Sequence, residues 1–475
     1  MKVTGGIEMS MTSQEYVNEL VSKARRAQEE FEANFTTQRA VDEVVRAVGL
    51  PIFNRAKELA EEAVEETHMG TVDFKITKIM ATCIPVWNSV RGQKSMGYID
   101  NIRQEPGVKV IAKPIGVVGI VTPSTNPIVT IVHNAMCAIK CRNACIVASH
   151  PSAKIVSEKV VNIIRAEFAK LGAPEDLLQI VSSEYNSLET TDQLIAACDV
   201  NVATGGPGMV KAIYSCGKPG FGVGQGNDQE IIAPDWDNYE LTCKTAIGNR
   251  SWDNGVPCTG EQMIHVPADK EELFLETMEK NGAYIIKDDA TRDKFRELIF
   301  PDGHRINRKV VGRSPKTVAA MLGIDIPDDK KVLLTKVDAK GEEDVLCKEI
   351  LFPFSRYRTY TDFEETVDTA VTNLKMEGAG HSSSIWAHDE KYIDHAAMRM
   401  PVSRLHINQS PQGSGNGLNP TTTLGCGFWS GNSTNENLTW YQFMQTTRTT
   451  VTLPKKHQMS PDDWDNFDIC PVEDE

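Results

Sequence analysis

The residues best placed to do chemistry lie in Arg250-Ser-Trp-Asp-Asn-Gly-Val-Pro-Cys-Thr-Gly-Glu-Gln262, centred on Cys258. Asp253-Asn254-Gly255 is a turn signal, Pro257 fixes its own φ and restricts Val256, and Gly260 follows. A cysteine that only fills a core needs no such punctuation, and for most of the eleven cysteines the core reading holds. A thiol presented to a substrate does need it. The thiolate is the nucleophile, and a partly exposed position near N–H groups or a cation favours it. Arg250 is the nearest cation in sequence.

A second concentration is His133, Cys137, Cys141 and Cys145, spaced by four residues. On one continuous helix they would form a stripe able to hold zinc or an iron–sulfur cluster. Arg142-Asn143 reads as a helix end, which puts Cys145 on the next strand. A metal or redox protein using His133, Cys137 and Cys141 is therefore the remote alternative, and no metal is expected.

The elements that must position Cys258 are of two kinds. Thr12-Ser-Gln-Glu15 is a capping box, followed by Tyr16, Val17, Leu20, Val21, Ala24, Ala27 and Phe31 at helical spacing. A second helix opens at Thr37 and is expected to stop near Gly49, with Pro51 in the first turn of a third. This opening reads as a helical lead-in without chemistry of its own. From Val108 the texture changes to strands at 108–112, 115–121, 144–149, 178–181 and 200–204, with helices between them. Such alternation predicts a parallel, doubly wound sheet with ligands at the strand carboxyl ends. The glycines between Tyr214 and Asn227 are weak evidence for a nucleotide loop, because they run into Ile231-Ile-Ala-Pro234 rather than a helix.

A second α/β unit follows Cys258, with helices at 270–280, 290–298, 315–322 and 363–374 and strands at 331–336, 383–387 and 404–407. Residues 408–437 are dense in Gly, Asn, Ser, Thr and Pro, a composition that in a compact protein marks a functional loop. Gln445 to Leu453 reads as a late strand, and the last twenty residues as an acidic tail. The formal charge of −15 argues against nucleic acid or an anionic membrane bound through a global basic field. Irregularly spaced cysteines, odd in number, exclude a disulfide scaffold and point to a reducing cytoplasm. No stretch has the length and apolarity of a membrane span.

Taken together, the motifs resemble the aldehyde dehydrogenase superfamily, and within it the coenzyme A-acylating branch that includes the aldehyde half of bifunctional aldehyde–alcohol dehydrogenases. They are Ile115-Gly-Val-Val-Gly119, Thr122-Pro-Ser-Thr-Asn-Pro127, Ala203-Thr-Gly-Gly-Pro-Gly-Met-Val210, Ser215-Cys-Gly-Lys-Pro-Gly220, Gly222-Val-Gly-Gln-Gly-Asn227, Asp253-Asn-Gly-Val-Pro-Cys258, Gly380-His-Ser-Ser383 and Thr423-Leu-Gly-Cys-Gly427. The resemblance runs from about residue 13 to 453 and implies two doubly wound parallel-sheet domains with a small β oligomerisation hairpin. The implied division is 1–233 for a cofactor domain with its helical lead-in, 234–430 for a catalytic domain, and 431–475 for a return to the cofactor domain, an oligomerisation strand and the tail. Residues 107–114 would form part of the hairpin, and a homodimer or homotetramer is expected.

The resemblance also implies roles. Cys258 would carry the aldehyde as a thiohemiacetal and then a thioester, with hydride passing to NAD or NADP. Asn126 or Thr125 would meet the oxyanion, Asn126 being favoured on chemistry, with the N–H of Cys258. His381 would assist attack by the coenzyme A thiol. Thr122, Pro123, Ser124, His150, Pro151, Ser152, Gly205, Gly206, Val223, Gly224 and Glu349 would line the cofactor site. Hydrolysing relatives carry a glutamate where Val223 stands, and valine cannot activate water, so acyl transfer to coenzyme A is preferred over release of a free acid. NAD-preferring relatives often carry glutamate where Ala153 stands, which leaves NADP open. Phe352 replaces the glycine usual near Glu349. Acetaldehyde or propanal ranks just ahead of sulfoacetaldehyde, for which Arg250, Asn408 and Gln409 would supply polar contacts. Some relatives enter protein shells through an extra terminal amphipathic helix; no such stripe is evident here, so encapsulation is disfavoured.

Overall fold

The computed structural model describes residues 11–100, 105–412 and 417–454, so the acidic tail lies outside the described residues. Four helices, Ser13–Asn34, Gln38–Asn54, Ala56–Thr67 and Val72–Val90, form the N-terminal layer. The capping box at Thr12 is complete, its hydroxyl accepting from Glu15 N–H and the Glu15 carboxylate accepting from Thr12 N–H. The second helix does not stop at Gly49 but continues through Pro51 to Asn54. Val41, Val44, Val45, Val48 and Ile52 keep a buried stripe across the proline, so packing outweighs the lost N–H bond.

Behind this layer is a five-stranded parallel sheet in the order Leu178–Ile180, Ala144–Ala148, Val117–Val121, Val200–Thr204, Gly220–Val223. Every residue of Val117–Val121 and Ala144–Ala148 is buried, as an apolar run covered by helices on both faces requires. The other half is a seven-stranded parallel sheet in the order Ala283–Ile286, Val332–Lys336, Phe354–Tyr360, Glu261–Pro267, Asp228–Ile232, Gly380–Trp386, Val402–Ile407. Its core falls into three apolar clusters, distinct from the single large cluster shared by the N-terminal helices and the first sheet. A small antiparallel sheet joins Gly97–Ile99, Val108–Pro114 and Met444–Thr450. The architecture is thus the expected α/β pair of parallel sheets with a small β ribbon. Two central strands, Glu261–Pro267 and Phe354–Tyr360, have no counterpart in the sequence reading, because buried polar residues such as Glu261, Gln262, His265, Ser355 and Arg356 interrupt their apolar pattern.

Candidate active site

Cys258 sits in the turn between a short 3-10 helix, Trp252–Gly255, and the strand Glu261–Pro267. Asp253, Asn254 and Gly255 are all left-handed, at φ 49°, 52° and 68°. Asp and Asn tolerate this region better than other side chains, but two in succession need external support. It comes mainly from the N-terminal layer. The buried Asp253 carboxylate accepts from Thr71 N–H at 3.1 Å, Lys75 Nζ at 3.3 Å and Lys78 Nζ at 2.5 Å. Asn254 Nδ2 donates to the carbonyls of Gly70 at 3.2 Å and Gly312 at 3.1 Å. The helical lead-in is therefore not remote from the chemistry: its fourth helix pins the cysteine loop.

His381 Nε2 lies 3.2 Å from Cys258 Sγ. Two close backbone approaches make this contact reachable. A Cβ on Gly226 would sit 2.0 Å from the Cys258 carbonyl oxygen, and one on Gly380, at φ 80°, would sit 1.6 Å from the carbonyl oxygen of Cys426. Arg404, opposite Ser382 in the strand register, ties the pieces together. Its guanidinium donates to Ser382 Oγ at 3.1 Å, the Gly425 carbonyl at 2.7 Å and the His381 carbonyl at 3.3 Å. Burial, with Glu349 and Cys426 nearby, pushes the Cys258 thiol up to about 12 despite Arg404. Burial, with Arg404 and His406, holds His381 down at about 3. The resting pair is thus thiol and neutral imidazole. Nδ1 of His381 is buried without a hydrogen-bond partner among the described residues, while Cys258 itself is partly exposed.

The Thr122-to-Pro127 loop stands at the carboxyl end of Val117–Val121, where Pro123, Ser124, Thr125 and Asn126 are all partly exposed. Asn126 is the N-cap of the helix Pro127–Lys140, yet its side chain makes no capping bond. Its Oδ1 instead accepts from Lys78 Nζ at 2.8 Å.

On the cofactor side, Thr122 Oγ1 and Thr204 Oγ1 are buried and unpartnered at the ends of adjacent strands. Orphaned hydroxyls at that edge suit a nucleotide, the ligand class that open α/β sheets bind there. Gly205 N–H donates to the Val223 carbonyl at 3.2 Å, and Gly206 caps the helix Pro207–Ser215 with no side chain in the way. Added Cβ atoms on Gly206 and Gly208 would meet nothing within 4 Å, leaving room for an anion near the helix N-terminus. His150 Nδ1 pairs with Ser152 Oγ at 2.8 Å around Pro151. Val223 is buried, and Gly224 leads from it toward Gly226. Glu349 accepts from Gly226 N–H at 2.9 Å, and burial beside Glu377 raises its carboxyl to about 8.

Two of the three expected substrate contacts have their side chains engaged elsewhere. Arg250 is buried, and its guanidinium donates to the carbonyls of Ile350, Phe352 at 2.7 Å and Phe354 at 3.3 Å. It braces the wall under the cysteine loop, where carbonyls take its N–H groups. Asn408, at φ 54°, both accepts from Ala387 N–H and donates to the Ala387 carbonyl at 2.9 Å, which commits its amide to holding a turn. Gln409 is partly exposed and has no described contact with the site. Lys78, Asp253 and Arg404 are functional candidates that sequence reasoning missed; Lys78, at the same helical face as Lys75, was hidden on what reads as an ordinary solvated stripe.

The cysteine stripe is broken as expected. Pro127–Lys140 ends before Cys141, Arg142 is left-handed at φ 63°, and Cys145 lies on Ala144–Ala148. Cys141 Sγ donates to the Trp440 carbonyl at 3.1 Å, and among the described residues no three metal-ligating side chains converge.

A fold of two parallel sheets with a cysteine–histidine pair at their junction defines an α/β enzyme scaffold. The chain belongs to the aldehyde dehydrogenase family, whose model matches residues 4–296. It is 42% identical to a succinate-semialdehyde dehydrogenase (acetylating) from Clostridium kluyveri, over 92% of this chain and 96% of that one. It is 36% identical to a sulfoacetaldehyde dehydrogenase from an Acholeplasma species, over 90% and 89% of the two chains. Among solved structures, a propionaldehyde dehydrogenase from Rhodopseudomonas palustris, with bound coenzyme A and an acylated cysteine, superposes with TM-score 0.82 at 25% identity over 92% and 97% of the chains. Acyl transfer is accordingly favoured over hydrolysis. Among the described residues no helix is long and apolar enough to cross a membrane.

Proposed function

We propose that the chain oxidises a short aldehyde to its coenzyme A thioester with NAD or NADP, reversibly, through Cys258. The contact of His381 Nε2 with Cys258 Sγ carries this reading. The thiol gives its proton to neutral Nε2 as sulfur bonds to the carbonyl carbon, and the thiohemiacetal oxygen takes hydrogen bonds from Asn126 Nδ2 and Cys258 N–H. The nicotinamide supplies a hydride acceptor, which leaves a thioester on Cys258. After His381 releases that first proton to solvent, its neutral ring takes the proton of the coenzyme A thiol as that sulfur attacks, and returns it to Cys258, which leaves as thiolate. Valine at 223 supplies no base to activate water, which supports acyl transfer.

Thr122, Thr204, Gly205, Gly206 and the His150–Ser152 turn would hold the nucleotide, with Glu349 nearer the reacting ring. The proposed division is 1–233, 234–430 and 431–475, although Asp228–Ile232 already pairs within the seven-stranded sheet and Met444–Thr450 returns to the small antiparallel sheet. The exposed end of Met444–Thr450, paired with Val108–Pro114, would extend a second copy's sheet in a homodimer or homotetramer. Free cysteines throughout the described chain fit a reducing cytoplasm.

The substrate is a C2–C4 aldehyde. Relatives acting on succinate semialdehyde and sulfoacetaldehyde favour one with an acidic end, although Arg250 and Asn408 no longer support it. Cofactor reduction with acetaldehyde, propanal, sulfoacetaldehyde and succinate semialdehyde, with and without coenzyme A, tests the reading. Strict dependence on coenzyme A is expected. Steady turnover to a free acid without it would overturn acyl transfer.

A further inference from the structure

We propose that Lys78 is a positioning residue for the oxyanion: it locks the Asn126 amide with Nδ2 facing the thiohemiacetal and couples that donor to the cysteine loop through Asp253. The inference rests on the reading that Asn126 serves the oxyanion. An ammonium group only donates, so the Asn126 atom 2.8 Å from Lys78 Nζ must be the carbonyl oxygen. The amide orientation is thereby fixed by chemistry, and the NH2 group is left for another acceptor.

Two further observations point the same way. An asparagine at a helix N-cap normally accepts a hydrogen bond from the helix's first turn. Asn126 occupies that position and makes no such bond. Lys78 itself is held on three sides: Asn126, the buried Asp253 carboxylate at 2.5 Å, and the face of Trp252, whose ring centroid is 5.1 Å away. Its side chain retains only 11% of its accessible surface and that of Asp253 retains none, so neither swings freely. Asp253 and Trp252 belong to the segment that presents Cys258. One lysine on a helix outside both sheets thus ties the oxyanion donor to the nucleophile's loop.

The test is a double-mutant cycle on the full-length enzyme, read by the single-turnover burst of reduced cofactor. Asn126→Ala should slow the burst by about 10²-fold or more, the size of effect seen on removing an oxyanion donor. Lys78→Met should slow it about 10-fold or more, lowering kcat and kcat/KM together, with Lys78→Arg recovering part of the loss. The double variant should be no slower than Asn126→Ala by more than about twofold, because Lys78 acts through Asn126. Thr71 N–H and Lys75 still hold Asp253 in Lys78→Met, so alkylation of Cys258 by iodoacetamide, which forms no oxyanion, should keep its parental rate; a generally disturbed loop would change it. Asn126→Asp gives a second arm, keeping an acceptor for Lys78 but removing the donor, and should match Asn126→Ala in rate while retaining the parental melting temperature. A normal burst in Lys78→Met, or losses that multiply in the double variant, would overturn the role of Lys78. A normal burst in Asn126→Ala would instead remove the oxyanion reading on which it rests.

Discussion

Two histidine–cysteine contacts occur among the described residues, and they look alike. His133 Nε2 lies 3.7 Å from Cys137 Sγ, and His381 Nε2 lies 3.2 Å from Cys258 Sγ. Burial lowers both imidazoles, to about 4 and about 3, and raises both thiols. Residue type, distance and proton affinity therefore do not separate them. Their unsatisfied valences and access do. His133 Nδ1 pairs with Asn134 Oδ1 at 3.0 Å, so its ring is filled on both sides, and Cys137 is 1% exposed. His381 Nδ1 has no hydrogen-bond partner among the described residues, and Cys258 is partly exposed on its turn. One pair is a finished piece of helix core; the other is left incomplete where a substrate must arrive.

The largest test of that contrast is to remove each thiol. Cys258→Ala should reduce acyl-CoA formation by at least about 10³-fold while nucleotide still binds, measured by cofactor fluorescence. Cys137→Ala should retain most turnover and lose about 1–2 kcal/mol of stability in denaturant titration, from the small cavity it leaves. Comparable activity in the two variants would abolish the distinction. A step smaller, His381→Asn should cost about 10²-fold in the acyl-transfer step, read by stopped flow with coenzyme A added to preformed thioester. His133→Asn should leave that step unchanged; a loss there would mean that the buried pair communicates with the site.

Much of this arrangement was legible in the sequence because its signals are local. The turn around Cys258 and the strand–helix alternation from Val117 to Thr204 depend on neighbours a few residues away, and both appear where expected. The missing parts depend on distance along the chain. Asp253 meets Lys75 and Lys78 across the interface between two units, and a lysine on an amphipathic helix carries no local mark of a buried partner. Arg250 shows the same limit. Proximity to Cys258 in sequence suggested a substrate cation, whereas the carbonyls of Ile350, Phe352 and Phe354 claim it. Helix Gln38–Asn54 shows the reverse failure, since a local breaker at Pro51 was overruled by a long-range apolar stripe.

The smallest expected effect concerns acid stability, where the two histidines should behave alike although their chemistry differs. Their folded values of about 4 and about 3 lie below the ordinary 6.5, so between these limits the unfolded chain binds a proton that the fold excludes. Stability from each ring is then complete above 6.5 and falls as pH drops toward the folded value, by about 1.4 kcal/mol per pH unit within the window. The total slope is not theirs alone. His265 and His406 are lowered too, while the buried Asp228 and Glu261 carboxyls are raised and act in the opposite sense, losing stability as pH rises. The informative quantity is therefore the difference in unfolding free energy between each variant and the parent across pH 4.5–7 (a range on the order of the window that linkage defines). His133→Asn and His381→Asn should each become less acid-sensitive than the parent by a similar increment. A flattened slope in only one of them would mean that the other ring is protonated in the fold, and for His381 that would replace the neutral base on which thiol activation depends.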